Sequence, residues 1–521
     1  MTTPRIAAGV GETPPSPSTV YLCPRGVEKE LPWGQAEGAR GRKQRVRANA
    51  EWLLMREHGV PTAEVFYTSY QLEGASGGGG VSVRKRPVTF LFNGGPGAAS
   101  AFLHLGTAGP KRIGFGSAGQ MLPPPVQLID NAESWLGFTD LVFVDPVGTG
   151  LSRTVAESKL EQQGVDAEED KTSKRTKELP DAKKSFYKVK RDIDVLADFV
   201  AGWLSKYNRW DSPVSIAGES YGGFRVGKLL RALPDRGVAL CGAVAVSPAL
   251  DILALGGNDY DLVPWLNTVP TYALAAAYHK KSRGRFAGLK ADAVRRKAED
   301  FAERVLAPVL YRGTVVAAKE RDAVFAELAD LMGLPVEMVA RHGGRVPIEI
   351  FSRELLRDEG LVCGLYDAAV TGPNVFPARE GMPNPDPTLA GIVSAFTAGI
   401  NAWLRGGLGL STDREYKLLG MDVNEMWADD VMKGIWPRAL DTGDDIRYGL
   451  AANPAVQLFV CHGWYDMVTP FASSERSVAL LHLPESLRKQ VTLKHYDGGH
   501  MFYTWDKSRK ALAKDVAKVV G

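Results

Sequence analysis

The stretch Val214-Ser-Ile-Ala-Gly-Glu-Ser-Tyr-Gly-Gly223 decides the fold of this chain. An apolar run typical of a buried strand leads into Gly218-Glu-Ser-Tyr-Gly222, and a helical pattern begins at Val226. A sharp strand-to-helix turn of this kind holds a serine hydroxyl at the edge of a sheet, near the positive end of the following helix. Glycine suits the positions two before and two after the serine, because side chains there would clash with neighbouring backbone. We therefore expect Ser220 to be a nucleophile rather than a serine in a structural turn.

Other short apolar runs extend this arrangement into a sheet. They alternate with helical patterns and lie at residues 88–92, 141–145, 243–247, 456–461 and 491–495. Runs of this length, bounded by turn residues and separated by helices, predict a mostly parallel sheet covered by helices on both faces. Residues 186–204 carry apolar side chains at helical spacing and predict one of those helices.

Two segments outside this alternation have their own patterns. Residues 63–72 predict a strand, and the glycine-rich stretch 74–80 then leads to a second strand at 81–83, which together indicate an antiparallel hairpin. Residues 155–185 are dense in charges of both signs, which favours a solvated loop.

The pattern divides the chain into four parts. Strand-forming runs are scarce between the fourth and fifth parallel strands, where helical patterns dominate, so a large helical cap is expected there. The predicted parts are a disordered N-terminus at 1–20, a first part of the sheet domain at 21–250, a mainly helical cap at 251–447, and a second part of the sheet domain at 448–521.

Composition excludes several classes of protein. The 521 residues are 45% hydrophobic and 24% charged, as in soluble globular proteins. The net charge of +3 is too small for a dedicated nucleic-acid binder. The sequence has no apolar run near the length of a membrane span, so no membrane partner is expected.

The cysteines and the N-terminus bear on the compartment. Four cysteines are too few for a secreted disulfide framework, and residues 1–10 lack the apolar stretch of a signal peptide. We expect a cytoplasmic protein, or a periplasmic or secreted one if a leader has been removed. A homodimer is left open.

A nucleophilic serine needs a base and a third group that orients the base. The apolar run ending at Cys461 leads into His462-Gly-Trp-Tyr-Asp466, and the run ending at His495 leads into Tyr496-Asp-Gly-Gly-His500. Both loops follow late strands, where the carboxyl edge of a sheet carries a site. We predict Asp466 as the orienting acid and His500 as the base. Asp497 is the competing acid, although it shares a tight loop with His500.

A third loop follows the first parallel strand. Asn93-Gly-Gly-Pro-Gly97 can present backbone N–H groups to the oxyanion of a tetrahedral intermediate, with the N–H of Tyr221 as a second donor. We predict no metal, because no pair of histidines has ligand spacing with a third ligand nearby. No cofactor is expected either, since Gly114-Phe-Gly-Ser-Ala-Gly119 lacks the strand and helix of a dinucleotide site.

Four motifs together resemble the serine carboxypeptidase family. They are Asn93-Gly-Gly-Pro-Gly97, Asp145-Pro-Val-Gly-Thr-Gly150, Gly218-Glu-Ser-Tyr-Gly222 and Gly499-His-Met501. The resemblance spans about 85–250 and 450–505. It implies an α/β-hydrolase fold, a triad of Ser220, Asp466 and His500, and an oxyanion hole formed by the N–H groups of Gly95 and Tyr221.

The resemblance also implies a grip on the substrate. In this family Asn93, the Gly94 backbone and Glu219 would bind the free C-terminal carboxylate of a peptide. Two carboxyl groups can bind each other only if they share a proton, which requires a raised pKa. The sequence departs from the family pattern at Leu91, where tryptophan is usual, and at Thr107, where a second glutamate is usual. We therefore expect a weaker preference for acidic pH.

The leading hypothesis is a serine-type carboxypeptidase that removes C-terminal residues of peptides through an acyl-enzyme. An acyltransferase or esterase on the same scaffold is the first alternative. A non-catalytic binding protein that keeps the fold is the second.

Overall fold

The computed structural model describes residues 21, 23–33, 44–73, 86–163, 174–379, 381–383, 385–427 and 440–521. The predicted disordered N-terminus at 1–20 and the predicted strand at 81–83 lie outside these residues. The strands are β1 Val27–Trp33, β2 Gln44–Glu57, β3 Val60–Glu73, β4 Val88–Phe92, β5 Lys111–Ile113, β6 Leu128–Asp130, β7 Asp140–Val144, β8 Arg153–Thr154, β9 Val214–Glu219, β10 Leu240–Val246, β11 Leu361–Cys363, β12 Thr371–Pro373, β13 Gln457–Gly463 and β14 Val491–Tyr496.

Among the described residues, the α-helices all follow β4 in the chain. They are α1 Ala101–Leu103, α2 Val155–Gln162, α3 Lys174–Phe186, α4 Val189–Lys206, α5 Tyr221–Ala232, α6 Val263–Tyr278, α7 Ala291–Phe301, α8 Ala307–Arg312, α9 Ala318–Met332, α10 Val336–Arg341, α11 Ile348–Glu354, α12 Pro387–Asn401, α13 Met421–Met426, α14 Gly443–Ala452, α15 Phe471–Ala479, α16 Glu485–Arg488 and α17 Asp506–Val520.

The central sheet has the order β1-β2-β3-β7-β4-β9-β10-β13-β14, with β8 paired to β3. The six neighbouring strands β7, β4, β9, β10, β13 and β14 run parallel to one another. They correspond to the six apolar runs of the sequence. The first three strands are antiparallel, and β3 joins them to β7. This mixed sheet with helices on both faces is the predicted α/β-hydrolase fold.

Alternate side chains of the sheet enter two separate cores. Phe90, Val142 and Ile216 lie in the core under α4, α5 and α14. Leu91 and Phe143 lie in the opposite core, under α12 and α17. The predicted helix at 186–204 is therefore confirmed as α4, with its apolar stripe packed on the sheet.

The described parts of the charged segment, 155–163 and 174–185, are mainly helical, so the prediction of a solvated loop was wrong there. Helix α2 and most of α3 lie in it. Thr154 and Glu157 form a reciprocal capping box that starts α2. Lys183 then pairs with the buried Glu157 at 3.0 Å. Charged residues of α2 and α3 thus pair with each other within the structure.

The long segment between β10 and β13 is mainly helical. Its middle part forms a third apolar core that includes Tyr272, Phe301 and Phe351 and reaches the loop after β13. Its later helices return to the sheet, since α12 enters the core that contains Leu91 and α14 packs on α5. The boundaries 21–250, 251–447 and 448–521 stay a prediction.

Residues Pro387–Leu408 form a helical stretch long and apolar enough to cross a membrane by length and composition. In the fold, Phe396, Ile400 and Leu404 of this stretch are buried in the core beside the sheet. The stretch therefore packs in the fold as a core helix of the sheet domain.

Candidate active site

Ser220 lies in the turn between β9 and α5, at the carboxyl edge of the sheet. Its backbone has φ 61° and ψ −125°, a strained conformation for a residue with a side chain. A Cβ on Gly218 would lie 2.0 Å from the carbonyl oxygen of Gly222, and one on Gly222 would lie 2.3 Å from that of Phe92. Only glycine therefore fits on either side of the serine, as the sequence predicted.

Asp466 and His500 are hydrogen-bonded in the loops after β13 and β14. The His500 Nδ1 atom lies 2.7 Å from Asp466 Oδ2, and both side chains are buried. Burial lowers the pKa of His500, but the Asp466 charge and hydrogen bond, together with the Glu219 charge, raise it above its ordinary value. The arrangement gives an imidazole with an oriented ring and increased basicity.

The segment after β10 holds these loops beside Ser220. The N–H of Ser220 donates to the carbonyl of Val246 at 3.0 Å, and the N–H of Ala249 donates to the carbonyl of Ser220 at 3.1 Å. Between them, the Ser247 hydroxyl donates to the carbonyl of His500 at 2.8 Å. Among the described residues, no hydrogen bond joins the Ser220 hydroxyl to the His500 ring. Such contacts often form only when substrate is bound.

The loop Asn93-Gly-Gly-Pro-Gly97 packs on the first turn of α5. A Cβ on Gly94 would lie 2.5 Å from the Tyr221 nitrogen, which shows how closely the two backbones approach. Gly95 and Tyr221 both line a cavity beside Ser220. The two predicted oxyanion donors thus lie on one wall of the space that a substrate would enter.

Arg225, which was not among the candidate residues chosen from the sequence, holds the loop at 93–97 in place. Its guanidinium donates to the carbonyl of Asn93 at 2.5 Å and forms a buried ion pair with Asp192 at 2.7 Å. Arg225 lies one helical turn after Tyr221 in α5 and is 1% exposed. A buried charge in the helix after the serine is the signal that could have identified it.

Glu219 is buried beside Ser220, the predicted nucleophile, and accepts hydrogen bonds from two neutral side chains. The side-chain amide of Asn93 donates to Oε2, and the Tyr503 hydroxyl lies 2.8 Å from Oε1 and 2.9 Å from Oε2. Burial raises the pKa of Glu219 to about 7, while the His500 charge and the bonds from Tyr503 and Asn93 act in the opposite direction. Glu219 therefore changes its charge near neutral pH.

Tyr503 lies beside the segment in which the family usually has its second glutamate. A Cβ on Gly106 would meet the Tyr503 ring at 2.5 Å, and the adjacent Thr107 is buried. The raised pKa of Glu219 thus arises from burial, without a second glutamate at position 107. Tyr503 follows the predicted base by three residues, but sequence alone gave no reason to place its hydroxyl on Glu219.

The cavity beside Ser220 has a volume of about 470 Å³. Its walls carry apolar side chains, among them Val189, Ile252, Leu255 and Trp427. Asn424 and Thr469 add polar groups, and no aspartate, glutamate, histidine, lysine or arginine is among the described residues that line it. The cavity suits an apolar acyl group bound next to the serine.

The helical cap contacts the loop of His500 directly. The N–H of His500 donates to the carbonyl of Tyr366, and the N–H of Gly499 donates to the Asp367 carboxylate at 2.9 Å. The indole of Trp505 donates to the same carboxylate oxygen at 3.0 Å. Burial raises the pKa of Asp367 to about 7. The cap therefore holds the loop of His500, the predicted base, a role that sequence patterns did not reveal.

The remaining candidates lie away from the catalytic contacts. Asp497 is exposed, and its backbone carbonyl accepts from Ser508. His495 lies 3.2 Å from Glu475, and burial lowers its pKa to about 4. His462 is fully buried, which holds its pKa well below the ordinary value. Over the described ranges, no group of three histidine, cysteine or acidic residues could hold a metal ion.

The sequence of the first sheet strands and the elbow agrees with this geometry. Residues 52–242 match the family model of serine carboxypeptidases. The resemblance to the serine carboxypeptidase family is confirmed over this stretch, which contains Ser220, Glu219 and the Asn93 loop. The predicted triad partners Asp466 and His500 lie beyond the matched stretch.

No curated protein matches the chain. Three solved structures show a distant likeness. They are a proline iminopeptidase from Mycobacterium smegmatis (12% identity, 90% of this chain and 97% of that chain, TM-score 0.36), an acetylester hydrolase from Corynebacterium glutamicum (11%, 91% and 95%, 0.36) and a monoglyceride lipase variant from Saccharomyces cerevisiae (12%, 90% and 93%, 0.34).

These likenesses are too distant to carry an argument about activity. The serine carboxypeptidase match and the strained turn at Ser220 together support a coarser conclusion. The chain is a serine hydrolase on an α/β-hydrolase scaffold.

Proposed function

We propose that the protein is a serine-type carboxypeptidase. Ser220 attacks the carbonyl of the last peptide bond, and His500 takes the serine proton while Asp466 orients the ring. The N–H groups of Gly95 and Tyr221 bind the oxyanion. The peptide nitrogen leaves with the proton from His500, and water then hydrolyses the ester on Ser220 by the same steps in reverse.

The observation that carries the proposal is the buried pair of Glu219 and Asn93 next to the nucleophile. A carboxyl group with a pKa of about 7 is half protonated at neutral pH and can share its proton with a second carboxylate. The Gly94 backbone lies against the same turn. These groups support recognition of the free C-terminus, and the apolar cavity supports an apolar side chain in the acyl residue before it.

A matched pair of peptides tests this recognition. One carries a free C-terminal carboxylate, and the other has the same sequence with a C-terminal amide. We expect kcat/KM to be roughly 10²-fold or more higher for the free acid, since an unpaired buried polar group costs about 1–3 kcal/mol for each partner lost. Glu219→Gln should reduce this ratio. Equal cleavage of both peptides by the unaltered protein would contradict the proposal.

An esterase or acyltransferase is the second candidate. The absence of charged groups among the described residues around the 470 Å³ cavity favours an uncharged acyl group. Under this alternative, a short-chain ester would be cleaved well and neither peptide would be cleaved. Added alcohol would increase the rate only if transfer to the alcohol occurs.

A further inference from the structure

Thr469 lies where the three catalytic loops meet. It is buried, and its hydroxyl oxygen is 2.6 Å from Asp466 Oδ2 and 3.1 Å from His500 Nδ1. The same oxygen lies 3.0 Å from the carbonyl of Ser247, the residue whose own hydroxyl binds the His500 backbone. One threonine hydroxyl thus contacts the acid loop, the ring of the base and the segment after β10.

The Asp466 carboxylate has two sets of donors. Oδ1 accepts the backbone N–H groups of Val468 at 2.9 Å and Thr469 at 3.0 Å. Oδ2 is shared between the Thr469 hydroxyl and the Nδ1–H of His500, at 2.6 Å and 2.7 Å. The hydroxyl has one proton, and the carboxylate oxygen at 2.6 Å is a closer and stronger acceptor than the Ser247 carbonyl at 3.0 Å, so the proton goes to Oδ2. The hydroxyl therefore competes with the imidazole for the lone pairs of that oxygen.

We propose that Thr469 is a positioning residue that sets the basicity of His500 through the shared oxygen of Asp466. This inference rests on the proposed function, because it concerns the base of that reaction. A donor on Oδ2 withdraws negative charge from the oxygen that faces the imidazolium. Loss of the hydroxyl leaves His500 as the remaining side-chain donor to Oδ2, so the imidazolium is stabilised and His500 is protonated up to a higher pH.

Removal of the Thr469 hydroxyl leaves the other titratable side chains near the His500 ring in place. The titratable groups that face His500 from the packed elements are Asp466, Glu219, His462 and Tyr366. Asp367 binds the adjacent backbone N–H of Gly499. None of them donates to Asp466 Oδ2 among the described residues. A change in the titration of His500 on removal of the Thr469 hydroxyl is therefore traced to the shared oxygen.

Two substitutions separate this role from packing. Thr469→Val keeps the shape of the side chain and removes the hydroxyl, whereas Thr469→Ser keeps the hydroxyl and removes a methyl group. If the hydroxyl matters, the valine variant changes and the serine variant resembles the original protein. If only packing matters, the serine variant is the more affected of the two.

The experiment measures the second-order rate of labelling of Ser220 by a fluorophosphonate from pH 4.5 to 9, with the full chain. We expect Thr469→Val to move the acid-side midpoint upward by about 0.5–1 pH unit. The plateau rate should also fall roughly 3- to 10-fold, because the His500 ring loses the hydroxyl that contacts its Nδ1 atom and helps to position it. Thr469→Ser should keep the midpoint within about 0.2 pH unit and the plateau within about two-fold. Thermal unfolding shows that each variant is folded, and Thr469→Ala replaces the valine variant if that one does not fold.

Two results overturn the inference while the proposed function stands. One is an unchanged midpoint in both hydroxyl-free variants, and the other is an equal shift in Thr469→Ser. If the unaltered protein is not labelled at any pH, the proposed serine chemistry is wrong and the inference falls with it.

Discussion

The hydroxyl of Tyr503 donates to the buried carboxyl group of Glu219, within 2.9 Å of both oxygens. A phenol here stabilises the ionised form of Glu219, whereas a second carboxyl group would oppose it. Because burial outweighs the phenol, the pKa of Glu219 is still raised to about 7. The residue is therefore protonated below neutral pH and charged above it.

This relationship predicts the pH dependence of substrate binding. Glu219 can share a proton with a substrate carboxylate only while it is protonated, so KM for a free-acid peptide should rise as pH passes through about 7. Tyr503→Phe removes a bond to the charged form and should raise the pKa further, which moves the rise in KM to higher pH. Steady-state kinetics between pH 5 and 9 measure the effect.

The matched control is Tyr496→Phe. The Tyr496 hydroxyl also binds a carboxylate, that of Asp515 at 2.8 Å, but away from the elbow. It should leave the KM profile unchanged. A profile that moves to lower pH in Tyr503→Phe, or moves equally in both variants, would contradict the role given to Tyr503.

Substitution of the two acids considered for the triad, Asp466 and Asp497, should have different effects on kcat. Asp466→Asn removes the carboxylate that holds His500 Nδ1–H, and kcat should fall roughly 10⁴-fold because the ring loses its tautomer and orientation. Asp497→Asn changes an exposed side chain in the same loop as the base and should keep kcat within about two-fold. Comparable losses in both variants would show that the acid has been assigned wrongly.

The contact between the cap and the loop of the base predicts a coupled loss. Asp367→Ala leaves the N–H groups of Gly499 and Trp505 without their acceptor, at a cost of about 1–3 kcal/mol in the free energy of unfolding. We expect kcat to fall more than KM changes, since His500 loses support. Asp358→Ala breaks an exposed pair with Lys281 and should leave both the stability and kcat nearly unchanged. Urea unfolding and steady-state kinetics test both, and unchanged kcat in Asp367→Ala would exclude the positioning role.

The turn at Ser220 predicts a strict need for glycine. Gly218→Ala would place a Cβ 2.0 Å from the carbonyl of Gly222, so the backbone must shift, at a cost of about 1–3 kcal/mol or more. Gly256→Ala meets nothing within 4 Å and should be nearly neutral. Urea unfolding compares them, and equal stability of the two variants would mean that the turn tolerates a side chain.

Much of the fold could be predicted because its signals are local. The six parallel strands are visible in the sequence as apolar runs, and the glycines around Ser220 follow from a turn that excludes side chains. Strand β2 was missed, although Val46, Ala48, Ala50 and Trp52 alternate with polar residues and are all buried. The alternation is present in the sequence, but it was not recognised because the strand is 14 residues long and has charged residues near both ends.

The remaining parts of the site depend on contacts between distant segments. Tyr503 and Asp367 are ordinary residues in sequence, and their roles arise because the fold carries them to Glu219 and Gly499. The charged segment at 155–185 was misjudged for the same reason. Its helices are held by a capping box and by ion pairs to residues such as Asp422, far along the chain.

The most direct test of the central claim is the site at which a fluorophosphonate modifies the protein, mapped by mass spectrometry of its peptides. The account predicts a single adduct on Ser220, lost in Ser220→Ala and slowed by orders of magnitude in His500→Ala, while Ser185→Ala, an exposed serine of α3, is labelled at the original rate. An adduct on another residue, or labelling of Ser220 that does not depend on His500, would contradict it.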